Sequence, residues 1–158
     1  MNTPPHIINR ALFQQVSSEA RVAPRRRKNF NFHTSDSDVS HRLLNAMEPD
    51  SYIPPHCHGD ASKDESIIVL AGRFGAIFFD ADGKVTETVS LESGGETLGV
   101  NIPHGVFHSL VALESGSVFF ESKAGPYKAL EPAEKASWAP AEGEPEATAY
   151  LEFMKSLF

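Results

Sequence analysis

Short apolar runs, each bounded by turn residues, dominate this chain from about residue 25 to residue 121. Gly-rich or Asp-rich turns separate several of them, as in 80–83, 93–95 and 114–116. No helical pattern interrupts the series, so we expect antiparallel strands that pair as a sandwich or barrel. The runs cover residues 39–47, 52–58, 65–71, 74–79, 85–91, 98–102, 108–113 and 118–121.

Helical spacing of apolar residues occurs only near the two ends, over 9–21 and 147–158. The chain contains no internal repeat and no linker long enough to divide it. We therefore predict a single, mainly β domain over residues 1–158. Within it we expect an N-terminal helix or arm (1–24), an antiparallel β-barrel (25–125), and a loop followed by a C-terminal helix (126–158).

Charge is distributed unevenly along the chain, whose net charge is −7. Residues 1–42 hold seven basic and three acidic side chains, and residues 43–158 hold seven basic and eighteen acidic ones. An acidic body repels a phosphate backbone, so nucleic acid is not an expected partner. The basic cluster Arg25–Lys28 is then a solvated patch or a contact with the acidic body, with a local anion site as the alternative.

The sequence also indicates the cellular compartment. No apolar run reaches the 18 or more residues that a membrane-spanning helix needs, so no membrane partner is expected. Cys57 is the only cysteine, which excludes an intramolecular disulfide. We expect a cytoplasmic protein in which Cys57 is a buried, unreactive thiol.

Histidines and a carboxylate at the edges of separate strands predict a metal site. Alternation along a strand places His56 and His58 on one face and Cys57 on the other. Glu65 begins the next apolar run, and His108 begins a later one. Three imidazoles and one carboxylate suit one divalent transition metal, namely Fe, Mn, Ni, Co or Zn, and leave positions open for water or substrate.

Other polar residues are candidates for binding a small molecule in the barrel. Asn31 and His33 lie two residues apart in an extended stretch and face the same way. His33 either donates to a substrate oxygen or is a structural histidine. Tyr52 and Arg42 either point into the barrel or form hydrogen bonds at its rim. We therefore take Arg27, Asn31, His33, Arg42 and Tyr52 as candidate substrate-binding residues, and His33 and Tyr52 as candidate proton-transfer groups.

The spacing of these residues resembles the two motifs of the cupin superfamily. The matching segments are His56-x-His58, Glu65-x6-Gly72 and Pro103-x-Gly105-x2-His108. This resemblance implies a cupin-type antiparallel β-barrel, jelly-roll-like, with a bound metal. The six residues between His58 and Glu65 exceed the usual three or four, so Asp60 and Asp64 are rival ligands. The position of Glu65 relative to Gly72 favours Glu65.

A second resemblance covers nearly the whole chain. Residues 25–33, 42–46, 51–56, 125–127 and 138–140 look like segments of the WbuC family of small cupin-fold metalloproteins, encoded in bacterial surface-polysaccharide gene clusters. It implies a barrel and a bound metal but supplies no established reaction.

Three classes of function therefore stay open, and the assembly of the protein is a separate question. One is a metal-dependent enzyme, similar to an isomerase or epimerase, on a sugar or small oxygenated substrate of surface-polysaccharide metabolism. The alternative is a non-catalytic, metal-dependent module that binds a carbohydrate or small acid. A structural protein with a stabilising metal is a third class. Both faces of 65–71 are apolar, so we also expect a homodimer.

Overall fold

The computed structural model describes residues 4–158, so residues 1–3 of the predicted N-terminal arm lie outside the described part. The described residues form two α-helices, eight strands and a short 3-10 turn over Pro132–Glu134. The helices are α1 (Arg10–Val22) and α2 (Ala147–Lys155). The strands are β1 (Arg27–Asn31), β2 (Ser40–Met47), β3 (Glu65–Ala71), β4 (Arg73–Phe79), β5 (Val85–Glu92), β6 (Gly99–Ile102), β7 (Phe107–Ala112) and β8 (Ser117–Ala124).

The strands form two antiparallel sheets, which confirms the mainly β prediction with a helix towards each end. One sheet has five strands in the order β1-β2-β8-β3-β6, and the other has three in the order β5-β4-β7. Their facing sides enclose the main core, which includes Met47, Ile67, Phe74, Leu110 and Phe119. β3 buries alternate residues, whereas β4 and β7 are buried on both faces, because α2 covers the outer side of their sheet.

The helices cover the outer sides of the sheets. The apolar stripe of α1 packs through Val16 and Ala20 onto Leu44 and Val118 of the five-stranded sheet. The stripe of α2 packs through Leu151 onto the three-stranded sheet. None of the helices in residues 4–158 is long and apolar enough to cross a membrane.

Two segments differ from the strands predicted from sequence. The predicted strand 52–58 is irregular, and only His56 forms a β-bridge, with His108 and with Lys135. Pro54 and Pro55 lack N–H groups, so this segment cannot form a continuous ladder. Conversely, the polar segment Arg27–Asn31 forms the edge strand β1, which no apolar pattern indicated.

The basic cluster contacts acidic residues of the rest of the molecule, which was one of the three expected arrangements. Arg27 forms a bidentate ion pair with Glu142, at 2.7 and 2.9 Å. Arg25 binds the same carboxylate at 3.0 Å, and Arg26 binds Asp50 at 2.9 Å. The two pairs with Glu142 join β1 and the residues just before it to the loop that precedes α2.

Candidate metal centre

Three histidines converge at one end of the space between the sheets. His108 lies in β7, and His56 and His58 lie in the loop between β2 and β3. Two backbone hydrogen bonds hold His56 beside His108. The His56 N–H donates to the His108 carbonyl at 3.1 Å, and the His108 N–H donates to the His56 carbonyl at 2.9 Å. One nitrogen from each of the three rings lies within 4.8 Å of the others.

Hydrogen bonds to backbone carbonyls orient two of these rings. Nδ1 of His56 lies 3.0 Å from the Pro54 carbonyl oxygen, and Nδ1 of His108 lies 2.9 Å from the Val106 carbonyl oxygen. A carbonyl only accepts, so both Nδ1 atoms carry the proton and both Nε2 atoms keep a free lone pair. Nε2 of His108 is buried and has no hydrogen-bond partner among the described residues. Such a buried, unpartnered lone pair fits a metal ligand.

Glu65 is the carboxylate that reaches the histidines. It is 5% exposed, and its Oε2 lies 3.1 Å from His58 Nε2 and 4.0 Å from His108 Nε2. The two rival carboxylates are exposed and engaged elsewhere: Asp60 accepts from the backbone and hydroxyl of Ser62, and Asp64 accepts from His104. Of these three carboxylates, Glu65 is the one that is buried beside the histidine rings.

The protonation states suit metal binding near neutral pH. Burial, with a smaller contribution from neighbouring His108, lowers the pKa of His56 to about 4, and burial also lowers the pKa of His108. Burial opposes ionisation of Glu65, but the hydrogen bond from His58 and the charge of Lys123 outweigh it and lower its pKa to about 2. His56 and His108 are therefore neutral while Glu65 is charged, which are the forms that bind metals.

A buried ion pair adjoins Glu65 and was not predicted from the sequence. Strand register places Lys123 of β8 directly opposite both Glu65 and His41. Lys123 Nζ lies 3.9 Å from Glu65 Oε2 and 2.6 Å from Oε1 of Glu121. The sequence did contain a signal for this pair, because Glu121 and Lys123 alternate with buried Phe119 on one face of β8. A charge on the inner face of a core strand needs a partner.

Glu134 positions the loop that carries His58, and it too was missed. Its carboxylate accepts the N–H of Gly59 at 2.6 Å, and its backbone carbonyl accepts the N–H of Cys57 at 2.9 Å. The amides on both sides of His58 are therefore held by one residue. Only the folded chain brings Glu134 to this loop, so sequence spacing gave no signal.

The candidate substrate-binding residues separate into two groups. Arg27, Asn31 and His33 line a cavity that adjoins the one at the histidine cluster, although the guanidinium of Arg27 is paired with Glu142. Tyr52 and Arg42 are not brought to the histidines. The Tyr52 hydroxyl donates to the Pro140 carbonyl within the hydrophobic cluster beneath α2.

The alternation of side chains along β2 explains the position of Arg42. Leu43 faces inward, so the side chain of Arg42 points to the opposite, exposed side of β2.

His33 stacks on His41 with ring centroids 4.0 Å apart, and its Nδ1 contacts the backbone of Arg42. Cys57 is buried, as expected, and burial raises the pKa of its thiol.

A cavity of about 600 Å³ opens onto the histidine cluster. His56, His58 and Lys123 line one side, and the loop from Ala124 to Glu134 supplies most of the other. This volume falls within the range of small-molecule sites in proteins.

Comparisons with solved structures identify the fold. KdgF from a Halomonas species superposes with a TM-score of 0.52 at 20% identity, covering 68% of this chain and 85% of that one. A conserved protein of unknown function from Streptococcus pyogenes, SPY1581, gives 0.54 at 16% identity, covering 80% and 95%. An oxalate decarboxylase gives 0.50 at 18% identity over 65% of this chain but only 27% of its own. At these identities the likeness establishes the cupin fold alone.

Sequence comparison gives the family. No curated protein has a significantly similar sequence. Residues 8–91 match a family described as a domain of unknown function, DUF6016. This match covers more than half of the chain, so the protein is a member of the DUF6016 family, with the cupin fold.

Proposed function

We propose that this protein binds one divalent transition metal through His56, His58, Glu65 and His108. The observation that carries the proposal is the convergence of ring nitrogens from His56, His58 and His108, including a buried and unpartnered Nε2, beside the buried carboxylate of Glu65. Imidazole and carboxylate ligands suit Fe, Mn, Co, Ni and Zn, and ligand type alone does not select among them.

A metal in this set has coordination positions open to an oxygen ligand when it accepts five or six ligands. It would supply Lewis-acid polarisation of a carbonyl or hydroxyl. The cavity of about 600 Å³ gives a small molecule access to that position. The WbuC-like motifs of the sequence favour a sugar or sugar derivative of surface-polysaccharide metabolism as this molecule.

The catalytic form of the proposal is an isomerase-like or epimerase-like reaction on such a substrate. His33 remains the candidate proton-transfer group, because it is at the cavity next to the histidines. Tyr52 is left out, because its hydroxyl is bound to Pro140 in a hydrophobic cluster. Arg42 is left out as well, because its side chain is on the other face of β2.

A non-catalytic binding module is the second candidate, and the pairing of cavity side chains favours it. Lys123 is bound to Glu121, and Lys63 donates to the backbone carbonyls of Ala124 and Pro126. Ammonium groups that are already paired are poorly placed to move protons. A ligand that raises the melting temperature of the metal-loaded protein and is recovered unchanged would support this candidate, and its conversion would support the enzyme.

Metal content is the decisive measurement for the proposal. We would purify the protein without a nickel column and measure bound metals by mass spectrometry, with parallel variants of ligand and control residues. His108→Ala and Glu65→Gln should lose most of the metal. His104→Ala and Asp64→Asn remove an exposed neighbouring pair and should retain it. A native protein that neither contains nor takes up any of the five metals would refute the proposal, as would equal losses in the control variants.

Assembly and location are part of the same proposal. Ile68 of β3 is 47% exposed on the outer side of the five-stranded sheet, which gives a second copy an apolar contact there. We therefore keep the homodimer, which sedimentation equilibrium would test by comparing the native chain with Ile68→Lys. Cell fractionation would test the cytoplasmic location.

A further inference from the structure

A second cavity adjoins the one at the metal centre. It has a volume of about 460 Å³ and shares His41, Lys123 and Tyr127 with the first cavity. Because three residues border both spaces, a ligand held at the histidines can extend into the second without leaving the protein surface. We call this second cavity the asparagine groove.

The floor of the asparagine groove is a row of amide side chains. Register pairs Asn29 of β1 with Asn45 of β2, and Asn31 lies on the same face two residues along. Asn29 donates to Asn31 at 2.7 Å, and Asn45 donates to Glu121 at 2.8 Å. An amide side chain has two donors and an acceptor with two lone pairs, so each retains capacity for a ligand.

Charges around the groove cancel. The four lysines and arginines that line it are Arg25, Arg27, Lys28 and Lys123. They are matched by Glu142 (for Arg25 and Arg27), Glu19, Glu121 and the lining residue Asp36. The groove therefore offers hydrogen bonds without an excess of either charge, which favours an uncharged polar ligand over an anion.

Tyr127 provides an aromatic surface where the two cavities meet. Its side chain is 63% exposed, although its backbone N–H donates to the Asp36 carbonyl at 2.7 Å and fixes its position. An exposed aromatic ring has an apolar face as well as a polar hydroxyl. A sugar ring has the matching chemistry, because C–H groups cover its faces and hydroxyl groups surround its edge.

We propose that the ligand of this protein is a neutral saccharide of at least two rings, with one ring at the metal centre, the next in the asparagine groove, and Tyr127 at the junction. This assignment rests on the proposed metal site, since the metal holds the first ring. It narrows the ligand from a small oxygenated molecule to an extended and uncharged one.

The test uses the full-length protein loaded with Mn²⁺. This metal-loaded protein is first screened for binding to an array of neutral and acidic saccharides of one to four rings. The tightest neutral disaccharide and its component monosaccharides are then titrated calorimetrically. We expect the disaccharide to bind at least ten-fold more tightly than either monosaccharide. Tyr127→Ala and Asn29→Ala should remove this difference and leave metal content unchanged.

Matched variants make the result specific. Phe153→Ala removes a 45%-exposed aromatic residue on α2, and Asn101→Ala removes an exposed asparagine on β6, so both should keep the ten-fold preference. The proposal is overturned if metal content is normal but only acidic saccharides or none bind, or if the preference survives both groove variants. A protein without metal that still prefers the disaccharide would refute the metal site and retain the groove.

Discussion

Acidification is expected to destabilise the metal-free protein well above the pH at which carboxylates titrate. Burial lowers the pKa of His56 from its ordinary value of 6.5 to about 4. Between these values the unfolded chain binds a proton at His56 and the folded chain does not. Protons therefore favour unfolding, so stability is fully present above pH 6.5 and declines as the pH falls towards 4.

The size of the effect follows from the gap between the two pKa values. Each pKa unit corresponds to about 1.4 kcal/mol. His56 alone then costs about 3 kcal/mol of unfolding free energy over the whole range and about 2 kcal/mol by pH 5. For a chain of this length, 2 kcal/mol lowers the melting temperature by roughly 4–8 °C. His108 acts in the same direction, because burial lowers its pKa as well.

Thermal unfolding of chelator-treated protein at pH 7, 6 and 5 measures this directly. His56→Asn should have a shallower decline than the native protein, because the titrating ring is gone. His104→Asn changes an exposed histidine in the same region and should follow the native curve. Glu65 does not confuse the comparison, since the lowered pKa of its carboxyl affects stability only below about pH 4.5. A melting temperature that stays constant from pH 7 to 5, or an equal decline in His56→Asn, would refute the reasoning.

Three further predictions concern positioning and packing. Glu134→Ala should weaken metal binding about 10–100-fold in a competition titration, because the Gly59 N–H beside His58 loses its carboxylate acceptor, and Glu134→Gln should restore most of the affinity. Tyr52→Phe should lower the unfolding free energy by about 1 kcal/mol in urea and leave metal content unchanged, and a loss of metal would contradict its placement away from the site. Leu151→Ala should lower the unfolding free energy by about 2–5 kcal/mol in the same urea assay, because this side chain is buried between α2 and the three-stranded sheet.

Periodicity was sufficient to predict the sheets but not every strand. The apolar runs predicted β2 to β8 to within a few residues, because their inner faces fill a core. They missed β1, whose inward side chains are Arg27, Asn29 and Asn31 and line a polar cavity. The apolar segment 52–58 was predicted as a strand, but adjacent prolines prevent a continuous ladder there.

Within the site, short-range spacing predicted more than cross-strand contacts. His56 and His58 lie two residues apart, and Glu65 and His108 lie at the starts of strands, so local pattern marked each of them as a candidate ligand. Spacing from Gly72 favoured Glu65 over the nearby carboxylates, but only the structure shows that Glu65 is buried beside His58. Lys123 could not be placed, because its position opposite Glu65 depends on strand register, which the sequence alone does not determine.

The paired backbone hydrogen bonds between His56 and His108 have a kinetic consequence. These bonds hold the loop that carries His56 and His58 against β7, which carries His108. A bound metal would link the same loop to the same strand a second time, through the side chains. Loss of the metal would then require the loop to separate from β7 by local unfolding. Metal exchange should be no faster than hydrogen exchange at the amides of His56 and His108, and the rate of opening of this bridge would set the lifetime of the metal on the protein.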